Sequence, residues 1–156
     1  MANFEAEKWA EYIRQHNNPL IVAGERCEHI TLQTKGLTDY AVALADKLSC
    51  PVAATGNTVP SFKKINPDLK TKKIFLAELF RYLGAAKWQE PLMDNRPDLV
   101  ILIGLHGPMV QGLAAGLENI SVAHLGPGEV PAAALSMGEI PLEEWARNLD
   151  ALMAAL

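Results

Sequence analysis

Cysteine is nearly absent from this chain of 156 residues, which holds Cys27, Cys50 and no other. Structural zinc sites and iron–sulfur clusters draw on about four ligands each, so two thiols cannot build one alone. The four histidines (His16, His29, His106 and His124) are scattered, none with a neighbour at a metal-binding spacing, and read most simply as loop or hydrogen-bonded side chains. A redox metal, where the function needs one, is expected on another chain. Long apolar runs are missing as well. None approaches the ~20 residues that cross a bilayer, and the opening MANFEAEKWAEY has no apolar signal-peptide core. These absences predict a cytoplasmic protein with reduced thiols and no membrane partner.

Specific nucleotide and nucleophile motifs are missing too. The segment AGERCEH has one glycine where the dinucleotide fingerprint needs three, and no Gly-x-x-x-x-Gly-Lys-Ser/Thr phosphate loop or Gly-x-Ser-x-Gly elbow occurs. No acid–base pair can be nominated. Positive charge is scarce beyond residue 97. Residues 1–97 carry 13 Lys and Arg against 11 Asp and Glu, and residues 98–156 one against seven, so the two parts stand at +2 and −6. Without a basic face to release counterions, nucleic acid is not an expected partner. Lys63, Lys64, Lys70, Lys72 and Lys73 crowd into eleven residues. They read as a solvated loop, with a phosphate or acidic partner as the other reading.

What is present is a core. Hydrophobic residues make up 49% and charged residues 21%, and a chain of this length buries roughly 70% of its unfolded surface as one domain, here residues 1–156. Helical and strand patterns alternate. Phe4, Trp9, Tyr12, Ile13 and His16 share a helical face; PLIVAG follows as a buried strand. Leu37, Tyr40, Ala41, Leu44, Ala45 and Leu48 recur at helical spacing before a second strand, Val52 to Thr55. Phe75, Leu76, Leu79, Phe80 and Leu83 predict a helix ended by Gly84. LVILIG is the most apolar strand and is expected at the sheet centre. Met109, Val110, Leu113 and Leu117 then suggest a helix, ISVAHLG a strand, and Pro141 opens a final helix with Glu143 and Glu144 in its first turn. Between them, AAKWQEPLMDNRP reads as irregular, and its cluster of Trp88, Pro91, Leu92 and Met93 either folds onto the core or meets a partner.

Alternating helices and strands predict a three-layer α/β fold, a parallel sheet between helices joined by right-handed crossovers. The turns after the strands then gather on one rim, where ligands bind. Three loops belong there: Gly24-Glu25-Arg26, Thr55-Gly56-Asn57-Thr58 and Gly104-Leu105-His106-Gly107. Glycine admits close backbone approach, and Thr, Asn and free N–H groups can hold phosphate or ribose. The same layout sets Cys27 and Cys50 at opposite ends of neighbouring strands, on the order of 15 Å apart and beyond disulfide reach.

NPLIVAG, CPVAATGNTVPSF, PDLVILIGLHGPMVQGLAAGLENI and LSMGEIPLEEWARNLDALM together resemble the epsilon subunit of the archaeal carbon monoxide dehydrogenase/acetyl-CoA synthase complex, also called acetyl-CoA decarbonylase/synthase. The resemblance runs from about Asn18 onward and rests on the series rather than on one motif. More distantly the chain is similar to the FAD- or NAD-binding middle domain of thiamine-diphosphate enzymes, which implies a Rossmann-like sheet of six parallel strands; their Gly-Asp-Gly signature is absent. The resemblance implies a non-catalytic subunit bound to the large alpha subunit that carries the nickel–iron–sulfur centre, in an alpha2-epsilon2 unit. It also implies stabilisation of that unit and a part in passing electrons to FAD. The flavin or nucleotide contacts implied are Gly24, Thr55, Gly56, Asn57, Gly104 and His106. Leu125-Gly126-Pro127-Gly128 stands where family members tend to carry an acid suited to a ribose hydroxyl. A free-standing FAD- or NAD-dependent enzyme using the same rim, and a plain scaffold with an empty crevice, stay open as alternatives.

Overall fold

The computed structural model describes residues 4–33 and 35–156, so the first three residues of the opening stretch lie outside the described residues. Six strands form one sheet: β1 (Pro19–Ala23), β4 (Val52–Ala54), β5 (Thr71–Lys73), β6 (Leu99–Ile103), β7 (Ser121–His124) and β8 (Leu135–Ser136). A two-stranded hairpin, β2 (Thr31–Leu32) and β3 (Lys35–Gly36), stands apart. The six strands lie in the order β5-β4-β1-β6-β7-β8 and every neighbouring pair is parallel. Counted along this sheet alone, that is the 3-2-1-4-5-6 order of a doubly wound Rossmann-like fold, whose winding reverses between β1 and β6. Those two strands match residue for residue, Pro19 opposite Leu99 through Ala23 opposite Ile103.

Alternation along the strands divides the core in two. Ile21, Ala23, Val52, Ala54, Ile101 and Ile103 face one layer, whereas Leu20, Val22, Ala53, Val100, Leu102 and Val122 face the other. The first layer holds α1 (Ala6–Arg14), α2 (Leu37–Leu48) and α6 (Leu142–Ala155), with Phe62 of the short α3 (Val59–Ile65) packed among them. The second holds α4 (Leu76–Gly84) and α5 (Gly107–Gly116). Because both faces are covered, β6 is buried along its whole length, as its unbroken apolar run requires.

Local chemistry sets the ends. Asp98 accepts N–H bonds from Asn17 at 2.9 Å and Asn18 at 3.0 Å, fixing the entry to β1 beside the entry to β6. Asp39 accepts the Gly36 N–H at the start of α2, and Glu78 the Phe75 N–H at the start of α4. Glu143 and Glu144 occupy the first turn of α6, where the helix dipole favours acids. The Tyr40 hydroxyl donates to Asp150 at 2.7 Å, tying α2 to α6.

Three expectations need correction, and one open reading is decided. The lysine-rich stretch is a loop only around Lys70: Lys63 and Lys64 ride on α3, while Lys72 and Lys73 lie in the edge strand β5. Three residues with one side to solvent are too few to show alternation. The Trp88 cluster folds inward. Leu92 and Met93 are buried, and the Trp88 indole donates to the Met93 carbonyl at 3.0 Å. Phe75, Phe80 and Met109, expected on core faces, are exposed instead. Lastly, β8 and the β2–β3 hairpin add strands too short to leave a pattern.

Lys72 shows what the edge strand does. Its ammonium lies 3.0 and 3.2 Å from the two carboxylate oxygens of Glu90, a side chain only 3% exposed, which also accepts the Leu92 N–H. Losing the lysine strands a buried charge, although the half-exposed ammonium is partly screened by water. Lys72→Met is therefore expected to lower stability by about 1–3 kcal/mol in urea unfolding. Adding Glu90→Gln should recover part of that loss, and a double variant no more stable than Lys72→Met would show that the pair is not the cause.

Candidate functional site

The three rim loops are laced together by backbone. Gly24 donates to Ile103 at 3.0 Å, Arg26 to Gly104 at 3.2 Å and Thr55 to Ala23 at 3.0 Å, with the Thr55 hydroxyl on the same Ala23 carbonyl. A short helical turn (Glu25–Glu28) follows β1 and drives Cys27 into the core beneath the loop after β6. The glycines make this possible. A Cβ on Gly24 would stand 2.4 Å from the Gly104 carbonyl oxygen; one on Gly104, whose φ is +72°, would stand 2.4 Å from the Cys27 sulfur. Gly56 likewise lies where its Cβ would meet Glu25 at 2.8 Å. All three therefore serve loop-to-loop contact, and shape the floor of the site rather than open it.

Above that floor is a crevice of about 520 Å³, at the carboxyl ends of β4, β1 and β6. Gly24, Thr55, Gly56, Gly104 and His106 line it, so five of the six expected residues come together. Asn57 does not join them; its side-chain oxygen accepts a bond from Lys73 at 2.6 Å. His106 is exposed and stands at the N-cap of α5, whose dipole points its positive end at the rim. Glu25, Arg26 and Leu105, expected on the rim as loop members but not among the contacts, line the crevice too, and Leu76 and Met109 join them without having been expected there. Met109 had the spacing of a core residue. A more polar hollow of about 440 Å³, lined by Asn18, Ser49, Asp68 and Lys70 among others, lies at the opposite edge. It is away from the strand ends where wound sheets bind ligands.

Across the Gly104–Gly107 loop a smaller cavity of about 320 Å³ is lined by Arg26, Gly107, His124, Gly126, Leu142 and Trp145, with others. His124 is buried, its Nδ1 has no hydrogen-bond partner, and burial lowers its pKa to about 4. The imidazole is thus neutral in the folded protein. The two thiols are equally inert: burial pushes both Cys27 and Cys50 up to about 12, and neither is in a disulfide. Among the described residues no group of three or more His, Cys, Asp and Glu side chains is placed to hold a metal ion. No helix among them is long and apolar enough to cross a membrane.

Two measurements test these assignments. Gly104→Ala combines left-handed strain with a clash on Cys27 and is expected to cost about 3 kcal/mol or more, whereas Gly112→Ala, with nothing within 4 Å, should stabilise α5 by up to about 1 kcal/mol. Equal urea midpoints for the two variants would refute the packing role. For His124 the unfolded state, with its ordinary pKa of 6.5, binds the proton that the folded state refuses. Its contribution is therefore complete above pH 6.5 and is lost as pH falls towards 4, with a slope of at most about 1.4 kcal/mol per pH unit. His124→Gln should flatten that part of the stability profile, and an unchanged slope would reject the assignment.

No family model matches the chain. It is similar to the acetyl-CoA decarbonylase/synthase complex subunit epsilon 1 of Methanosarcina barkeri (strain Fusaro / DSM 804), with 27% identity over 153 residues that take in 96% of this chain and 86% of that one.

Proposed function

We propose that this chain is a non-catalytic small subunit of an acetyl-CoA decarbonylase/synthase assembly in the cytoplasm. In this reading it binds and stabilises the large alpha subunit, the carrier of the nickel–iron–sulfur centre, in an alpha2-epsilon2 unit. The observation that carries the reading is the likeness, along nearly the whole chain, to a protein named as a subunit of that complex. One feature supports it: both thiols are buried and held protonated, so they are poor ligands for a cluster.

The same crevice is the place proposed for a flavin. Its volume falls within the range of about 300–1,000 Å³ found for small-ligand sites, and its lining has two characters. Arg26, His106 and the first N–H groups of α5 would meet a phosphate; Glu25 and Thr55 would meet hydroxyls; Leu76, Leu105 and Met109 would cover a ring. When bound, a flavin supplies a two-electron acceptor, enough for the pair released as CO and water become CO2 and two protons. Asn57, held by Lys73, takes no part in this arrangement.

Affinity capture of the tagged full chain from cells that make the large subunit tests both statements at once. The expected eluate contains the large subunit in equal amount, an iron–sulfur absorption envelope, CO oxidation that the isolated chain lacks, and flavin that Arg26→Ala removes. A chain that elutes alone would overturn the subunit reading. An eluate with the large subunit but no flavin would overturn the flavin reading alone.

A further inference from the structure

Five large apolar side chains stand more than a third exposed among the described residues: Ile65, Phe75, Phe80, Met109 and Leu142. Three of them gather on the second helical layer. Phe75, 60% exposed, begins α4; Phe80, 39% exposed, lies midway along it; and Met109, 47% exposed, is in the first turn of α5. Two observations set α4 beside α5: a Cβ on Gly116 would stand 2.5 Å from the Phe80 ring, and Leu76 of α4 and Met109 of α5 line the same crevice.

The outer side of α5 is unusual for a surface helix. Val110, Leu113 and Ala114 are buried against the sheet, yet none of the ten residues of GPMVQGLAAG is charged. Solvent-facing helices of globular proteins carry polar or charged residues on that side. Here the exposed positions are Met109, Gln111, Gly112, Ala115 and Gly116 with their neighbours, and the space over Gly112 is open for 4 Å. Glycine weakens a helix, so its presence there favours close approach of another backbone over helix strength.

The charges on the α4 side select among occupants. Lys73 stands 5.0 Å from the centre of the Phe75 ring and Arg81 stands 5.5 Å from that of Tyr82. Glu78, the one acid of α4, is engaged by the Phe75 N–H. The margin thus carries two cations against one acid, and a second copy docked by its own α4–α5 face would bring to it the same uncharged helix and the same cations. A partner with carboxylates beside an apolar ridge complements both parts.

We propose that the α4–α5 face is the docking surface for the large subunit, which lays on it an amphipathic helix with an apolar ridge and an acidic flank. This rests on the function proposed above and adds the surface that performs it. Because Leu76 and Met109 belong both to this face and to the crevice, the docked helix forms one wall of the crevice and brings any ligand there against the metalloprotein.

The test places p-benzoylphenylalanine at Phe80 of the tagged full chain, with Ile65 and Leu142 as control positions, in cells that make the large subunit. Irradiation is expected to join the large subunit to position 80 and not to the controls. Phe80→Glu/Met109→Glu should weaken the complex at least about 30-fold while the free variant still unfolds cooperatively on heating, and the wild-type complex should weaken as salt rises. If the two chains elute together but crosslink only through position 65 or 142, or if the double variant binds as tightly as wild type, the surface is wrong and the subunit reading stands. An adduct of twice this chain's mass from position 80 overturns the assigned occupant. If the chains neither elute together nor crosslink, the subunit reading falls and takes the occupant with it.

Discussion

The approach of Gly24 to Gly104 is the contact on which the rest of the molecule depends. A carbonyl oxygen occupies the place of a side chain, and only glycine at position 24 allows it. Since β1 and β6 lie side by side in register, their turns leave from the same point and must separate in opposite winding directions. Any Cβ at either turn would push them apart. With both absent, the turn after β1 can send Cys27 under the Gly104 loop, and the loop after β6 can start α5 beside Arg26. The crevice is what remains above two interlocked turns.

That arrangement sorts the chain's chemistry by depth. Cys27 and His124 are buried near the rim and Cys50 near the opposite edge, all three held in uncharged forms. Side chains suited to recognition, Glu25, Arg26 and His106, stand at its edge. Charged side chains, rather than thiols, are therefore what the crevice presents to an occupant. The outer side of α5, beyond the crevice, is uncharged.

Much of the fold could be read from the sequence because burial on two faces leaves long apolar runs. PLIVA and LVILI announced the central strands, and the three- and four-residue spacing of Leu37 to Leu48 announced α2. What escaped was short or one-sided. Thr71–Lys73 pairs through backbone, which side-chain pattern does not report, and Leu135–Ser136 is shorter than one period of alternation. For the site, order along the chain revealed which turns share a rim, so Gly24, Thr55, Gly56, Gly104 and His106 were found together. That Asn57 stands outside this lining was hidden, because its neighbour in space, Lys73, is sixteen residues away. The exposure of Phe75, Phe80 and Met109 was also hidden, because helical spacing cannot distinguish a residue facing its own sheet from one facing outward.

The two borders of the sheet carry a consequence of their own. One is the three-residue β5, rich in lysine; the other is the two-residue β8. Neither is long enough, and the first is too strongly charged, to template a strand from another molecule. Growth by backbone zippering is therefore blocked at both ends, which protects the protein from fibril-like stacking and leaves side-chain surfaces for any contact with another chain.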